Sequence, residues 1–105
     1  MKTKWLLLSL IGFLVSCSKQ ESMDALTARV FTVAEQQYLT MDTRLESTTL
    51  PQSIAPDSTF KSSTIYWWCS GFYPGSLWYI YEYTQNDAVK TLAEKNTLKL
   101  DPIQY

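Results

Sequence analysis

Histidine is absent from this chain of 105 residues, and cysteine, glycine and proline are scarce. Without an imidazole or another nearby base, a cysteine such as Cys69 has no partner that would make it a catalytic nucleophile. Basic residues number nine against ten acidic ones, with no basic cluster. Nucleic-acid binding needs a basic patch, so the sequence predicts no nucleic-acid partner. We also predict no metal site and no cofactor.

The N-terminus has the features of an export signal. Lys2 and Lys4 precede an apolar run over residues 5–15. This run is too short to cross a bilayer, which takes about 20 apolar residues in a helix, but it fits a secretory signal. Residues 14–17, at the end of this run, read Leu-Val-Ser-Cys, which resembles the lipobox of bacterial lipoproteins. An ordinary signal peptide with an incidental cysteine is the alternative.

The lipobox implies that residues 1–16 are a cleaved signal peptide and that Cys17 carries the lipid. Residues 17–22 then form a polar tether to the membrane. We expect the protein in the cell envelope, anchored by lipid and facing the periplasm or the cell surface. With Cys17 lipidated, Cys69 has no disulfide partner within the chain.

The rest of the chain reads as helical. Ser22 is a candidate N-cap for one long amphipathic helix over residues 23–45, because apolar residues recur there at spacings of three and four. Residues 46–63 are rich in Ser, Thr and Pro and predict a long loop. We expect Asp87 to cap a last helix that ends near Leu100, and no strand anywhere.

The segment 66–83 holds nine of the fifteen aromatic residues. Its Ser-Gly-Phe-Tyr stretch, residues 70–73, predicts a turn that leads into a helix from about Pro74 to Tyr83, since proline fits a first helical turn. Three helices in so small a domain have too little interior for all these rings. The aromatic surplus therefore indicates a partner or a larger fold.

This segment, "WCSGFYPGSLWYIYEYT", closely resembles a motif of the unsaturated glucuronyl hydrolases, glycoside hydrolase family 88. The stretch "AEKNTLKLDPIQY" resembles the helix that follows in that family, and "LPQSI" resembles its preceding loop more loosely. The resemblance covers most of residues 23–105. It implies an all-α fold in which this chain supplies the N-terminal helices of an incomplete (α/α) toroid of six helical hairpins.

The resemblance also implies an activity. Family members remove the terminal 4,5-unsaturated uronic acid that polysaccharide lyases leave on oligosaccharides. They hydrate the double bond with an aspartate as general acid and base, unlike the paired-carboxylate glycosidases. The substrate implied for this chain is an unsaturated uronyl oligosaccharide.

Carried over residue by residue, the resemblance assigns substrate binding to Trp68, which matches a wall of the sugar pocket. The turn that shapes the pocket and the helix behind it correspond to Ser70, Gly71, Phe72, Pro74, Gly75, Trp78, Tyr81 and Glu82. Cys69 replaces the family's usual threonine, and Gln52 stands where arginine is common.

The family's catalytic aspartate follows the Pro-x-Gln-Tyr segment within a His-Asp pair, and no such pair occurs here. We therefore assign no catalytic residue and expect a fragment that is inactive alone. Glu82 as an acid is less favoured than Glu82 as a helix residue with local hydrogen bonds. Asp57, Asp87 and Asp101 read as loop, cap and helix-end residues. A second function stays open, a small envelope lipoprotein that binds carbohydrate or a protein through its aromatic segment.

Overall fold

The computed structural model of the protein describes residues 20–104. The predicted signal peptide, the predicted lipidation site Cys17 and the first half of the predicted tether, residues 17–19, lie outside the described residues. Within residues 20–104, no helix combines the length and the apolar character that a membrane span requires. The described part is mostly helical, with one small two-stranded sheet.

The first described helix, α1, runs over Met23–Asp42. The hydroxyl of Ser22 accepts a 3.2 Å hydrogen bond from the backbone N–H of Ala25, which confirms the predicted N-cap. The helix ends three residues earlier than the predicted boundary at residue 45. The N–H groups of Arg44 and Leu45 instead bond to the carbonyls three residues before them, which tightens the chain into a turn.

The prediction of a long loop over residues 46–63 was wrong, and so was the expectation that no strand exists. Strand β1 (Thr49–Ile54) pairs antiparallel with β2 (Phe60–Thr64), and the register is irregular between Pro51 and Ser53. Because proline cannot donate a ladder hydrogen bond, it is tolerated at such a bulge. The strands were missed because polar, mostly exposed residues fill them and only Leu50 is buried.

Helix α2 spans Phe72–Thr84 and begins two residues before the predicted start at Pro74. It buries four side chains, Tyr73, Pro74, Leu77 and Ile80. Its end is a left-handed cap: Gln85 has φ 55° and its N–H bonds to the carbonyl of Tyr81 at 2.8 Å.

Helix α3 spans Asp87–Leu98, and a 3₁₀ turn follows at Asp101–Ile103. The predicted cap at Asp87 was wrong by one residue. The cap is Asn86, whose side-chain oxygen accepts a 2.8 Å hydrogen bond from the N–H of Ala88. Asp87 lies in the first turn, where its negative charge complements the helix dipole.

The core forms where α2, α3 and β1 meet. Its buried apolar side chains are Leu50, Tyr73, Leu77, Ile80, Val89 and Ala93. Helix α1 packs across this core but buries no residue fully. Several large apolar side chains stay exposed among the described residues, including Tyr66, Trp68, Phe72 and Tyr79. The aromatic surplus thus lies largely at the surface.

Candidate functional site

The turn between β2 and α2 carries the aromatic motif. A series of backbone hydrogen bonds closes it, from the N–H of Trp67 to Thr64, of Ser70 to Trp67 and of Phe72 to Cys69, at 2.9–3.2 Å. Ser70 is buried, and Gly71 stands directly before α2. The turn fixes the backbone on which the paired tryptophans sit.

The two tryptophans differ in environment. Trp67 is half-buried, whereas the side chain of Trp68 is 81% exposed. Their ring centroids lie 6.1 Å apart at an interplanar angle of 63°, an edge-to-face contact. The indole of Trp68 therefore presents open ring surface, which is what stacking on the apolar C–H face of a sugar requires.

A small cavity of about 280 Å³ lies beside this turn. Trp67 and Cys69 line it from the turn, and Phe72 lines it from the start of α2. Tyr38 and Gln52 line it from α1 and β1. Trp68, the residue to which substrate binding was assigned, is not among the lining residues. The sequence reasoning missed Trp67 and Tyr38, although the paired tryptophans were a signal that one of the two rings would face inward.

Tyr73 contributes to the same cavity from the first turn of α2. Its ring stacks on Tyr38 with centroids 5.6 Å apart. Its hydroxyl is buried and has no hydrogen-bond partner among the described residues. Burial, together with the negative charge of Asp42 and the nearby Tyr38, raises the pKa of Tyr73 well above its ordinary value. The phenol therefore stays protonated at neutral pH.

A larger cavity of about 580 Å³ lies between the second half of α1 and the β-hairpin. It shares four lining residues with the smaller one, Tyr38, Met41, Pro51 and Gln52. Arg44, Gln36 and Phe60 also line it. The two cavities thus form one depression, which we call the hairpin groove, from Phe60 to the aromatic turn.

A charged network holds the end of α1 against α3. The carboxylate of Asp42 accepts hydrogen bonds from Lys95 at 2.9 Å and from the buried amide of Asn96 at 3.1 Å. Burial alone would raise the pKa of Asp42, but these two hydrogen bonds and the charges of Lys95 and Lys99 outweigh it. The pKa lies below its usual value. This network fixes the helix that forms one wall of the groove.

The other candidate acids have local roles. Asp57 accepts hydrogen bonds from the N–H and hydroxyl of Thr59 in the hairpin turn, and these lower its pKa. Glu82 is exposed on α2, and its backbone carbonyl accepts a bond from Gln85. Neither described cavity has an aspartate or glutamate in its lining. We find no acid placed to protonate a substrate there.

Cys69 is a half-buried free thiol. Within residues 20–104, no group of three or more potential ligands is arranged to hold a metal ion. Trp78, in the helix behind the turn, donates from its indole nitrogen to the hydroxyl of Thr97 at 3.0 Å and so joins α2 to α3.

Comparison with known proteins gives one informative similarity. Over 31 residues, 30% of this chain, the sequence is 55% identical to an unsaturated chondroitin disaccharide hydrolase from Streptococcus pneumoniae. The chain is similar to a piece of a glycoside hydrolase. The matched segment is 8% of that hydrolase's length. No protein-family model and no solved structure matches the chain.

Proposed function

We propose that this chain supplies the N-terminal helices of a glycoside hydrolase that removes a terminal 4,5-unsaturated uronic acid from the products of polysaccharide lyases. The observation that carries the proposal is the 55% identity over 31 residues to a hydrolase of unsaturated chondroitin disaccharide. The exposed indole of Trp68 supports it, because a free ring face suits a pyranose.

In the proposed reaction a proton and a hydroxyl add across the double bond, and the resulting hemiketal opens and releases the rest of the sugar. Such a step needs an acid within hydrogen-bond reach of the double bond. Trp68 would hold the sugar ring, but the catalytic aspartate that the resemblance implies belongs to a His-Asp pair that these 105 residues lack, and no carboxyl group lines the described cavities. We therefore expect no hydrolase activity from these 105 residues alone, and the acid has to come from a longer product.

The same proposal includes the location of the protein. The Leu-Val-Ser-Cys sequence supports a lipid on Cys17 and a position in the cell envelope, where extracellular polysaccharide fragments arrive. The polar residues up to Ser22 would then separate the helical part from the bilayer.

The test begins with the reading frame beyond the codon for Tyr105. If the frame continues into a His-Asp segment, the longer product is purified and given unsaturated chondroitin disaccharide. We expect the ultraviolet absorbance of the double bond to fall. Trp68→Ala should lower kcat/KM at least tenfold, whereas Tyr79→Ala, which removes a ring of similar exposure on α2, should change it less than twofold.

Two outcomes would contradict the proposal: a longer product that leaves the double bond intact, or turnover by the purified 105-residue chain itself. The second candidate function, a lipoprotein that only binds, is favoured by the exposed rings of Tyr66, Trp68 and Tyr79. It predicts binding of an oligosaccharide that depends on Trp68, with no turnover by any product of the gene.

A further inference from the structure

The hairpin groove has the size and shape of a ligand site apart from Trp68. Its larger cavity, at about 580 Å³, falls within the range of roughly 300–1,000 Å³ that is usual for small-molecule pockets. One wall is the last two turns of α1, and the other is the β-hairpin. Trp68 lines neither part of it.

The lining of the hairpin groove carries positive charge only. Arg44 is the single charged side chain among its lining residues. The two ion pairs within residues 20–104 involve Arg29 and Lys95 instead. The guanidinium of Arg44 therefore has no carboxylate partner in the described part of the chain. Its planar fork matches a carboxylate or sulfate group, which it can bind through two parallel hydrogen bonds.

Three glutamine side chains line the groove together with Arg44. Gln36 and Gln37 come from α1, and Gln52 comes from the hairpin. None of the three makes a side-chain hydrogen bond within residues 20–104, so their donors and acceptors are available. Amides that both donate and accept suit sugar hydroxyl groups, which do the same.

The position of Gln52 has a structural cause. It is the residue skipped in the pairing of β1 with β2, because Pro51 pairs with Ser62 and Ser53 pairs with Lys61. A bulge of this kind leaves the extra residue outside the ladder, and bulges often re-aim a side chain beside a site. Gln52 lines both cavities and so joins the Arg44 region to the aromatic turn.

We propose that the hairpin groove binds an acidic oligosaccharide, with Arg44 pairing with a carboxylate or sulfate of a sugar beyond the terminal unit. The rings of Tyr38 and Phe60 contact sugar faces, and the glutamine amides contact hydroxyl groups. The choice of a saccharide over an acidic peptide rests on the proposed function. The anionic character of the ligand rests on the groove itself.

The test measures binding to the full 105-residue chain by titration calorimetry, with circular dichroism to verify that each variant keeps its helix content. The probe is a saturated chondroitin sulfate tetrasaccharide, which has no double bond. Arg44→Gln should raise its Kd about tenfold or more, and Arg44→Lys should raise it less. The matched control is Lys61→Gln, which removes one positive charge from the neighbouring strand outside the groove and should change Kd less than twofold.

Several results would overturn the inference. The first is that the chain does not bind the tetrasaccharide. The second is that Arg44→Gln and Lys61→Gln weaken the affinity for it equally. The third is that a neutral chitin tetrasaccharide binds just as tightly. Tighter binding of a hexaglutamate peptide would identify a peptide site instead. Since the probe lacks the double bond, Arg44-dependent binding without turnover of unsaturated disaccharide would refute only the proposed function. Turnover without an Arg44 effect would refute only this inference.

Discussion

The buried amide of Asn96 on α3 donates a 3.1 Å hydrogen bond to the carboxylate of Asp42, the last residue of α1. Lys95 donates to the other oxygen of the same carboxylate. Fifty-four positions separate Asp42 from Asn96, so this contact closes the long connection through the hairpin and α2. Helix α1 forms one wall of the hairpin groove, and this contact holds that wall against α3.

Asp42 should make the free energy of unfolding depend on pH in the acidic range. Its pKa is lowered in the folded state, so its contribution is fully present above the ordinary aspartate pKa near 4 and is lost as the pH falls through the lower folded value. Asp42→Asn should destabilise the protein at pH 7 by about 1.5–3 kcal/mol, the range for hydrogen bonds to charged groups. It should also flatten the loss of stability below pH 4. Urea unfolding between pH 2 and pH 7 measures both effects. Glu94→Gln, at an exposed position on α3, is the control and should keep the wild-type profile.

The cap of α3 gives a second prediction. Asn86 caps the helix through its side-chain oxygen, and its amide nitrogen also donates a 2.8 Å hydrogen bond to Glu35 of α1. Asn86→Ala should therefore cost about 1–2 kcal/mol of unfolding free energy, the upper part of the range for a lost cap. Asp87→Ala, which removes only a favourable charge near the helix dipole, should cost about 0.3–1 kcal/mol. Urea denaturation at pH 7 separates the two variants, and a larger effect at Asp87 would show that the cap is misassigned.

At Tyr73, in contrast, we expect a substitution to leave the free energy of unfolding unchanged or to raise it. Its buried hydroxyl has no partner within the described residues, so Tyr73→Phe removes an unsatisfied polar group. We expect this variant to be as stable as the wild type or more stable by up to about 1 kcal/mol.

The pH dependence checks the same residue independently. The folded pKa of Tyr73 is raised, so its contribution is present below the unfolded value near 10 and is lost as the pH rises through the folded value. The wild type should lose stability above pH 10 more steeply than Tyr73→Phe. Tyr79→Phe, at an exposed ring, should behave like the wild type. Destabilisation of Tyr73→Phe at neutral pH would mean that the hydroxyl has a partner.

The proposed anchor is tested by metabolic labelling. Cells that express the chain are given a clickable fatty acid, and the protein is purified and examined for label. The wild type should be labelled and Cys17→Ala should not, because the proposed lipid attaches at that sulfur. Cys69→Ala is the matched control and should keep the label, since it removes the other cysteine. Full labelling of Cys17→Ala would refute the anchor.

Much of the helical structure could be predicted from local sequence. The N-cap at Ser22, the apolar spacing that follows it, and proline in the first turn of α2 all act through neighbours a few residues away. Such signals predict the existence of an element better than its ends. The end of α1 and the start of α2 were displaced by a few residues, and the cap of α3 by one.

The hairpin and the groove could not be read in this way. The strands are polar and exposed, so their residues lack the apolar alternation that marks a half-buried strand. Residues of α1 and of the hairpin meet in the groove only after the chain folds back, and the unpaired state of Arg44 depends on which carboxylates lie near it. Composition carries no information on either point.

The sequence by itself determined three helices, an aromatic turn before the second of them and a local likeness to a glycoside hydrolase, because helix signals act over short distances and the motif is contiguous. Only the tertiary structure decided that Trp67 lines a cavity while Trp68 stands exposed, and that a bulge brings Gln52 between Arg44 and the aromatic turn. Such outcomes depend on long-range packing: a one-residue shift in a turn or strand reverses which side chain faces inward.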